Sequence, residues 1–161
     1  MAADDGNLAD RIARLETAEE VRALCAAYAD ACDANDLEAV RAIMAPDVVL
    51  SVPGQEWSGT EEVLEFYRAS WAANSNPSRH FMTNVAMRSL EPDRAEATSS
   101  FLYVSTIDGR STIGWGAYRD TFTRIDGVLV FRSKHFDMDV MTSVEEGWAE
   151  GLASLAAARS S

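Results

Sequence analysis

The sequence predicts an α+β fold, with helices in the first half of the chain and a sheet of long strands in the second. Apolar residues recur at helical spacing over residues 8–33, and two shorter helical segments follow. From residue 79 the pattern changes to the alternation of β-strands, with short turn sequences between the segments. Helices followed by hairpin-linked strands are typical of α+β domains.

Three helices are expected in the first half of the chain. The first spans residues 8–33, and the capping-box pattern "TAEE" indicates that it restarts at Thr17. Asn35 is the expected N-cap of a short second helix, because a glutamate follows three residues later, and this helix has to end before Pro46. A third helix, "TEEVLEFYRASWAAN", is expected to begin at Thr60.

The strands are expected mainly in the second half of the chain. A short strand, "DVVLSV", comes before the third helix, and the following "PGQEWSG" is typical of a turn region. The four long strands are expected to be "RHFMTNVAMRSL", "RAEATSSFLYVSTI", "RSTIGWGAYRDTFTRI" and "VLVFRSKHFDMDV". The sequences "EPD", "DG" and "DG" between them are hairpin signals. A curved sheet with helices on one face can enclose a small-molecule pocket.

One domain is expected over residues 1–161, because a chain of this length builds one core more readily than two. The core is expected at about residues 8–140, and a weak, Ala-rich helix and tail are expected over residues 144–161. The two cysteines, Cys25 and Cys32, are seven residues apart on one predicted helix, which is too far for a disulfide bond. They are therefore expected to be reduced and packed.

The charge of the chain excludes some partners. There are 26 acidic and 14 basic side chains, which give a net charge of −12 at neutral pH. Such a surface repels phosphate groups, so neither nucleic acid nor an anionic membrane is an expected partner.

No apolar run is as long as a membrane span, and the N-terminus lacks a signal-peptide pattern. The expected location is the cytoplasm.

Asp33 is the first candidate for a chemical role. Asp30, Asp33 and Asp36 cluster at the end of the first predicted helix, where the helix dipole disfavours negative charge. Asp36 suits the first turn of the second helix, and Asp30 suits a solvated helix face. Asp33 is then either an exposed acid at a helix corner or a functional group.

The two histidines are the next candidates. His80 opens a strand on which strict alternation places His80 and Asn84 on one face, and both need polar partners if buried. His80 is therefore a satisfied structural residue or a catalytic one. His135 can also point inward by alternation, and the sequence does not decide whether His135 or Trp115 lines a pocket.

Tyr118 lies on a strand face with two glycines. Gly114, Gly116 and Tyr118 alternate along one face, which indicates either open space over the sheet at a cavity wall or a bend with Tyr118 in the core. Nucleotide-binding loops and serine-nucleophile motifs are missing, and the two histidines are far apart in sequence. Neither a metal nor another cofactor is expected.

Three segments together resemble a known family. They are "YADACDANDLEAVRAIMAPD", "RHFMTN" and "GAYRDTFTRIDG". They are similar to the SnoaL-like group of the nuclear-transport-factor-2-like superfamily, and the resemblance spans about residues 8–140. It implies a cone-shaped α+β barrel, in which a curved mixed or antiparallel sheet wraps around a pocket with N-terminal helices packed on it. Leu129 stands where the family often has tryptophan, which is a packing position.

The resemblance also implies a catalytic site. The segments look most like those of scytalone dehydratases, bile-acid dehydratases and hexachlorocyclohexane dehydrochlorinases, which pair a helix-end aspartate with a strand-opening histidine. These positions fall on Asp33 and His80, and the tyrosine of the bile-acid enzymes falls on Tyr28. Cys32 and Tyr118 differ from scytalone dehydratase, which implies a substrate other than scytalone. Tyr118 and Asn84 are the expected substrate-binding residues.

The resemblance implies a cofactor-independent lyase, and the chemistry of these residues is consistent with it. A neutral imidazole can remove a proton from carbon, and a carboxylate on its other nitrogen stabilises the imidazolium that forms. The expected activity is dehydration or a related elimination on a small, apolar, cyclic or polyketide-like substrate. The alternatives are an isomerase or cyclase in the same pocket, and a non-catalytic binding or partner subunit.

The resemblance finally implies self-association. Related enzymes commonly form trimers or dimers through the outer face of the sheet, and "SSFLYVSTI" alternates apolar residues that suit such a surface. A homo-oligomer is therefore expected, with a trimer favoured over a dimer.

Overall fold

The computed structural model describes residues 3–72 and 75–148, in which helices pack against one sheet. The helices are α1 (Ala3–Ala34), α2 (Leu37–Ala42) and α3 (Thr60–Ala72). The strands are β1 (Met44–Val52), β2 (Gln55–Ser58), β3 (Ser75–Leu90), β4 (Arg94–Ile107), β5 (Arg110–Ile125) and β6 (Val128–Ser143).

The strands form a single curved sheet in the order β2-β1-β6-β5-β4-β3. All neighbouring pairs are antiparallel except β1 and β6, which are parallel, so the sheet is mixed. It wraps around the helices without closing, and β2 and β3 are its two edges. The predicted α+β fold with a curved mixed sheet is confirmed, in an open rather than a closed form.

The long hairpins follow the sequence pattern closely. β4 and β5 have the same bounds as the segments predicted for them. Asp108 and Gly109 form the first two-residue turn, and both have positive φ angles, 51° and 76°. Asp126 and Gly127 form the second in the same way. Positive φ at both central residues matches the right-handed twist of the flanking strands. The predicted turn region after β1 differs, because most of it forms β2.

The helix boundaries correct two expectations. The first helix does not restart at Thr17, whose hydroxyl instead donates a hydrogen bond to the carbonyl of Ala13 within one continuous helix. Asn35 is not an N-cap, because it has a φ of 54° and ends α1. Asp36 is the N-cap of α2, and its side chain accepts a hydrogen bond from the amide of Ala39. The N-cap is thus one residue later than expected.

The end of α1 is closed by backbone hydrogen bonds around Asn35. The Asn35 amide donates to the carbonyl of Cys32, and the Asp36 amide donates to the carbonyl of Ala31. This pair of bonds, with a left-handed residue after the helix, is the Schellman arrangement. It stops the helix one residue after Asp33 and leaves the Asp33 side chain in the last turn.

Of the several bulges in the sheet, two decide where the candidate site residues point. In β3 the register with β4 shifts between Thr83 and Ala86, where Asn84 has a φ of 54°. In β6 the register with β5 shifts between Phe131 and Ser133 and inserts Arg132 as an extra residue. An extra residue in one strand moves all later side chains to the opposite face. As a result Lys134 points inward and His135 outward, the reverse of simple alternation.

The C-terminal part is described up to residue 148. The Ala-rich helix expected over residues 144–161 falls mostly on residues 149–161, which lie outside the described residues, and residues 144–148 contain a turn. The extent of the domain over residues 1–161 therefore stays a prediction.

No helix within residues 3–72 and 75–148 is both long and apolar enough to cross a membrane. The cytoplasmic location also stays a prediction.

Asn35 should be sensitive to replacement by a residue with a Cβ atom. Left-handed backbone costs about 1–2 kcal/mol for most L-residues, less for asparagine and nothing for glycine. We expect Asn35→Ala to lower the free energy of unfolding by about 1 kcal/mol relative to Asn35→Gly. Urea denaturation followed by circular dichroism measures both. Equal stability of the two variants would contradict the proposed role of this backbone conformation.

Candidate active site

The candidate site is a cavity between the helices and the concave face of the sheet. Its volume is about 130 Å³, similar to a cavity that holds one benzene-sized ligand. Its walls are mostly aromatic, with Phe66 and Trp71 from α3, Phe101 from β4 and Phe136 from β6. The polar side chains that line it include the tyrosines 28, 67, 103 and 118 and His80. The cavity is therefore an apolar chamber with a few polar groups.

His80 and Asp33 are held together by three hydrogen bonds. The Nδ1 atom of His80 lies 2.7 Å from Oδ1 of Asp33, and the backbone amide of His80 donates to both carboxylate oxygens at 3.0 Å. A carboxylate can only accept, so Nδ1 carries the proton and Nε2 is the ring nitrogen with a free lone pair. Within the described part of the chain, Nε2 has no hydrogen-bond partner in the protein. It is available to a ligand in the cavity.

The position of β3 at the edge of the sheet makes this contact possible. An edge strand has backbone amides without a neighbouring strand, and Asp33 accepts the one at His80. The carboxylate is nearly buried, with 8% of its side chain exposed, and Arg79 lies 3.7 Å from it. Three hydrogen bonds and a nearby guanidinium offset the unfavourable position of a negative charge at a helix C-terminus.

Burial holds His80 in its neutral form. Burial is the largest effect and lowers the pKa of His80 below its ordinary value, and the charge of Lys134 adds to this change. The hydrogen bond and the charge of Asp33 act in the opposite direction. The imidazole ring also packs against Tyr103, with the ring centres 4.7 Å apart. At neutral pH the ring is therefore uncharged, and its unprotonated Nε2 is a base in a fixed orientation.

Tyr28 lies beside this pair on the same helix. Its ring centre is 6.4 Å from that of His80, and its hydroxyl accepts a hydrogen bond from Tyr67 at 3.1 Å. Burial raises the pKa of both Tyr28 and Tyr67 well above the ordinary value, so both remain protonated. Tyr28 also lies within hydrogen-bond reach of Cys32 and Tyr118, so its proton has acceptors in the protein that a ligand oxygen would replace. The sequence did not single out Tyr67, although it lies on the apolar face of a predicted helix.

Tyr118 lines the cavity, but the glycines near it do not leave open space. A Cβ atom on Gly116 would lie 1.9 Å from the carbonyl oxygen of Asp137 and 2.9 Å from the Phe101 ring. A Cβ atom on Gly114 would lie 3.0 Å from the Met141 sulfur. The glycines thus permit close approach of β6 and of neighbouring side chains. The expectation of an open cavity wall over them is wrong, whereas Tyr118 itself does reach the cavity.

Asn84 and the second histidine lie away from the cavity. Asn84 is exposed at the bulge of β3, and the bulge is the reason that it does not share a face with His80. His135 is on the outer face, where Nδ1 contacts the Ser51 hydroxyl at 2.8 Å and Nε2 contacts Asp137 at 3.1 Å. Trp115 does not line the cavity either. Simple alternation was therefore wrong for Asn84 and for the inward position of His135.

A buried ion pair lies behind the tyrosines and was missed by sequence reasoning. The ammonium of Lys134 is 3.0 and 3.2 Å from the carboxylate oxygens of Asp120, and both side chains are essentially inaccessible. Alternation assigned Lys134 to the outer face, so only the bulge in β6 explains its position. Among the described residues, no group of three or more His, Cys, Asp or Glu side chains is arranged to hold a metal ion.

Comparison with known proteins identifies a family and several similar folds. A family model described as "SnoaL-like domain" matches residues 13–135. A solved hexachlorocyclohexane dehydrochlorinase from Novosphingobium barchaimii LL02 is 19% identical, with 83% of this chain and 94% of that chain covered and a TM-score of 0.76. A candidate scytalone dehydratase from Novosphingobium aromaticivorans DSM 12444 is 18% identical, with 83% and 91% covered and a TM-score of 0.76.

A further solved structure extends these similarities. An NTF2-like protein with a cystatin-like fold from Novosphingobium aromaticivorans is 25% identical, with 83% of this chain and 89% of that chain covered and a TM-score of 0.71. No curated protein is significantly similar in sequence. At these identities the solved structures establish the fold.

The pKa of His80 can be measured directly, because the chain has only two histidines. We expect a value below 6.5 in NMR titration of the imidazole C–H signals, with His80→Asn identifying the signal. Asp33→Asn should lower the pKa further, since the carboxylate favours the imidazolium. The unfolded state binds the proton more tightly, so His80 stabilises the fold above about pH 6.5, and this contribution is lost as the pH falls through the folded-state pKa. A pKa above 6.5 would contradict the dominant role of burial.

Proposed function

This chain belongs to the SnoaL-like domain family, and from this membership we propose that it is a cofactor-independent lyase. It removes water or another leaving group from a small apolar substrate of cyclic or polyketide-like type. The observation that carries the proposal is the contact between the buried Asp33 carboxylate and Nδ1 of His80 at the wall of an apolar cavity. The enclosed volume suits a reacting part of single-ring size.

His80 is the proposed general base. Its Nε2 takes a proton from a substrate carbon, the C–H electron pair forms the new C=C double bond, and the leaving group departs from the next carbon with its electron pair. When the leaving group is hydroxide, the imidazolium returns the proton to it, and water and neutral His80 result. Asp33 holds the correct tautomer and stabilises the imidazolium between these steps.

Tyr28 is the proposed hydrogen-bond donor to the substrate. It is protonated, lines the cavity and receives a hydrogen bond from Tyr67, and a substrate oxygen would take its proton in place of Tyr118 or Cys32. A donor in an apolar cavity stabilises developing negative charge more strongly than one in water. Tyr118 is proposed to contact the substrate from the sheet. Asn84 is not included, because it is exposed and away from the cavity.

The similar structures favour elimination over isomerisation. Two of them are named for elimination reactions, a dehydrochlorinase and a candidate dehydratase. Both share the fold of this chain at low identity, so they support the reaction class and not the substrate. A product that retains every atom of the substrate would instead indicate isomerisation or cyclisation by the same base.

Variants of the two central residues test the mechanism. With a single-ring β-hydroxy ketone such as 3-hydroxycyclohexanone, formation of the enone is followed by ultraviolet absorption. His80→Ala should lower turnover by about 10²- to 10⁴-fold, because it removes the general base. Asp33→Asn should be comparably severe, because the wrong tautomer disables the base. The double variant should lose little more than either single variant, since the two residues act as a unit.

His135→Ala is the matched control for these variants. It removes the other histidine of the chain, which lies on the outer face of the sheet, and should leave turnover nearly unchanged. Binding of an apolar single-ring ligand should persist in His80→Ala, because the aromatic walls are intact. Activity that survives in both single variants would mean that the pair is structural, whereas ligand binding without turnover in the wild-type chain would make a binding module the better interpretation.

We also propose that the chain forms a homo-oligomer, with a trimer favoured over a dimer. Phe81, Leu102, Trp115 and Val140 pair across four neighbouring strands and form one apolar row. Phe81 and Leu102 are 51% and 37% exposed. The Trp115 side chain packs against Trp148, which covers only one end of the row. A second copy of the chain on this row would remove the remaining apolar surface from water.

Sedimentation velocity at micromolar concentration tests the assembly. We expect a species larger than a monomer for the wild-type chain and a monomer for Leu102→Glu, which places a charge in the centre of the apolar row. Val128→Glu is the control, because Val128 is 61% exposed but lies at the β5–β6 turn, outside the row. A monomeric wild-type chain, or equal dissociation of both variants, would contradict the proposed surface.

A further inference from the structure

Lys134 occupies an unusual position for a charged residue. Its side chain is fully buried, and its ammonium lies 3.8 Å from the ring centre of Tyr118 and 4.0 Å from that of Tyr28. Both tyrosines line the cavity, whereas Lys134 does not. Asp120 is its ion-pair partner on the neighbouring strand. A positive charge thus lies directly behind two phenol rings that face the substrate cavity.

Stability alone does not account for this pair. Moving two charges from water into the protein interior costs several kcal/mol per ion. A protein in which packed hydrophobic residues replace a buried ion pair is often as stable as the original or more stable. A cation held against an aromatic face is attracted to the ring electrons. The same cation also stabilises negative charge that grows on the phenol oxygen when the hydroxyl proton moves toward an acceptor. The position of Lys134 against both rings favours this charge, whereas the Asp120 carboxylate beside it opposes the charge and raises the pKa of Tyr118.

We propose that Lys134 is a positioning residue that strengthens the hydrogen bonds from Tyr28 and Tyr118 to the oxygen of an enolisable carbonyl substrate. This inference rests on the proposed elimination and specifies its substrate class. When Nε2 of His80 removes the proton next to the carbonyl, the C–H electron pair forms a C=C bond and the carbonyl π pair moves to oxygen. The enolate oxygen is then stabilised by the tyrosine hydroxyls. The oxygen electron pair then re-forms the C=O bond, the enolate C=C pair forms the bond between the α and β carbons, and the leaving group departs from the β carbon with its electron pair.

The charges around the cavity are arranged for such a reaction. Asp33 contacts His80 at the base end, where an imidazolium forms. Lys134 is at the tyrosine end, where an oxyanion forms. Arg79 lies 3.7 Å from Asp33, and most of its side chain is exposed. Asp120 balances the positive charge of Lys134, so this ion pair has no net charge. A substrate whose negative charge does not reach an oxygen, such as a simple alkyl halide, would gain little from Lys134.

The ionisation of a bound phenol measures how Lys134 and Asp120 affect negative charge on an oxygen in the cavity, and the phenol does not have to react. The probe is 4-nitrophenol, a single-ring phenol whose ionised form absorbs visible light, and its pKa in the cavity is read by titration. The double variant Lys134→Met/Asp120→Leu replaces both charges by apolar groups. At a given pH, we expect the ratio of phenolate to phenol in the bound probe to be at least about tenfold lower in this variant than in the wild-type protein. The measurements are repeated in the His80→Ala background, so that the imidazole does not contribute.

Two further variants make the test specific. Arg124→Met/Glu20→Leu removes an ion pair that links α1 to the β5–β6 hairpin away from the cavity, and it should leave the probe unchanged. Tyr28→Phe keeps a ring against Lys134 but removes the hydroxyl, and it should reduce the phenolate fraction without disturbing the buried pair. If the Lys134/Asp120 double variant does not fold, Asp120→Asn replaces it: this variant keeps the cation, removes the opposing carboxylate and should raise the phenolate fraction of the bound probe, and an unchanged or lower fraction would overturn the inference.

The result separates this inference from the proposed function. An unchanged phenolate fraction in Lys134→Met/Asp120→Leu, or in Tyr28→Phe, would overturn the inference and show that the pair is only structural. That outcome does not depend on the elimination assay. A response of the probe to Lys134 combined with full turnover in His80→Ala would overturn the base assignment and leave the oxyanion site standing.

Discussion

The carboxylate of Asp33 is the contact on which the rest of the site depends. It accepts the backbone amide of the edge strand β3 and the ring N–H of His80 at the same time. One group therefore joins α1 to the sheet, fixes the orientation of the imidazole and selects the tautomer with a free Nε2. The helix must end just after Asp33 for this geometry, and the left-handed Asn35 ends it there. A structural requirement and a chemical one are met by the same residue.

The cavity combines an apolar interior with charges placed behind its walls. Aromatic side chains exclude water and keep His80 neutral through burial. Asp33 lies behind the base, and Lys134 lies behind the tyrosines. Each charge acts through a neutral side chain that faces the cavity, so a substrate meets an imidazole and phenols rather than ions. A low-dielectric environment of this kind strengthens both effects, because the charges are poorly screened.

Much of the fold follows from local patterns in the sequence. The alternating segments that became β4 and β5, and the Asp-Gly turns between the long strands, were predicted with their correct bounds. These features are local, because the strand period and the turn conformation depend on neighbouring residues only. The N-cap of α2 was misplaced by one residue for a related reason. Asn35 and Asp36 both suit a helix start, and only the backbone bonds at the end of α1 decide between them.

The sequence by itself determined the order and type of the helices and of every strand except β2, which was expected as a turn. Its family resemblance pointed to Asp33, His80 and Tyr28; His80 and Tyr28 line the cavity, and Asp33 contacts His80 from behind. Tertiary structure alone decided the faces of β3 and β6. A bulge at Asn84 removes that residue from the cavity, and a bulge at Arg132 brings Lys134 inside and His135 outside. Alternation cannot reveal this, because one extra residue reverses every later side chain and the extra residue is defined only by pairing with the neighbouring strand.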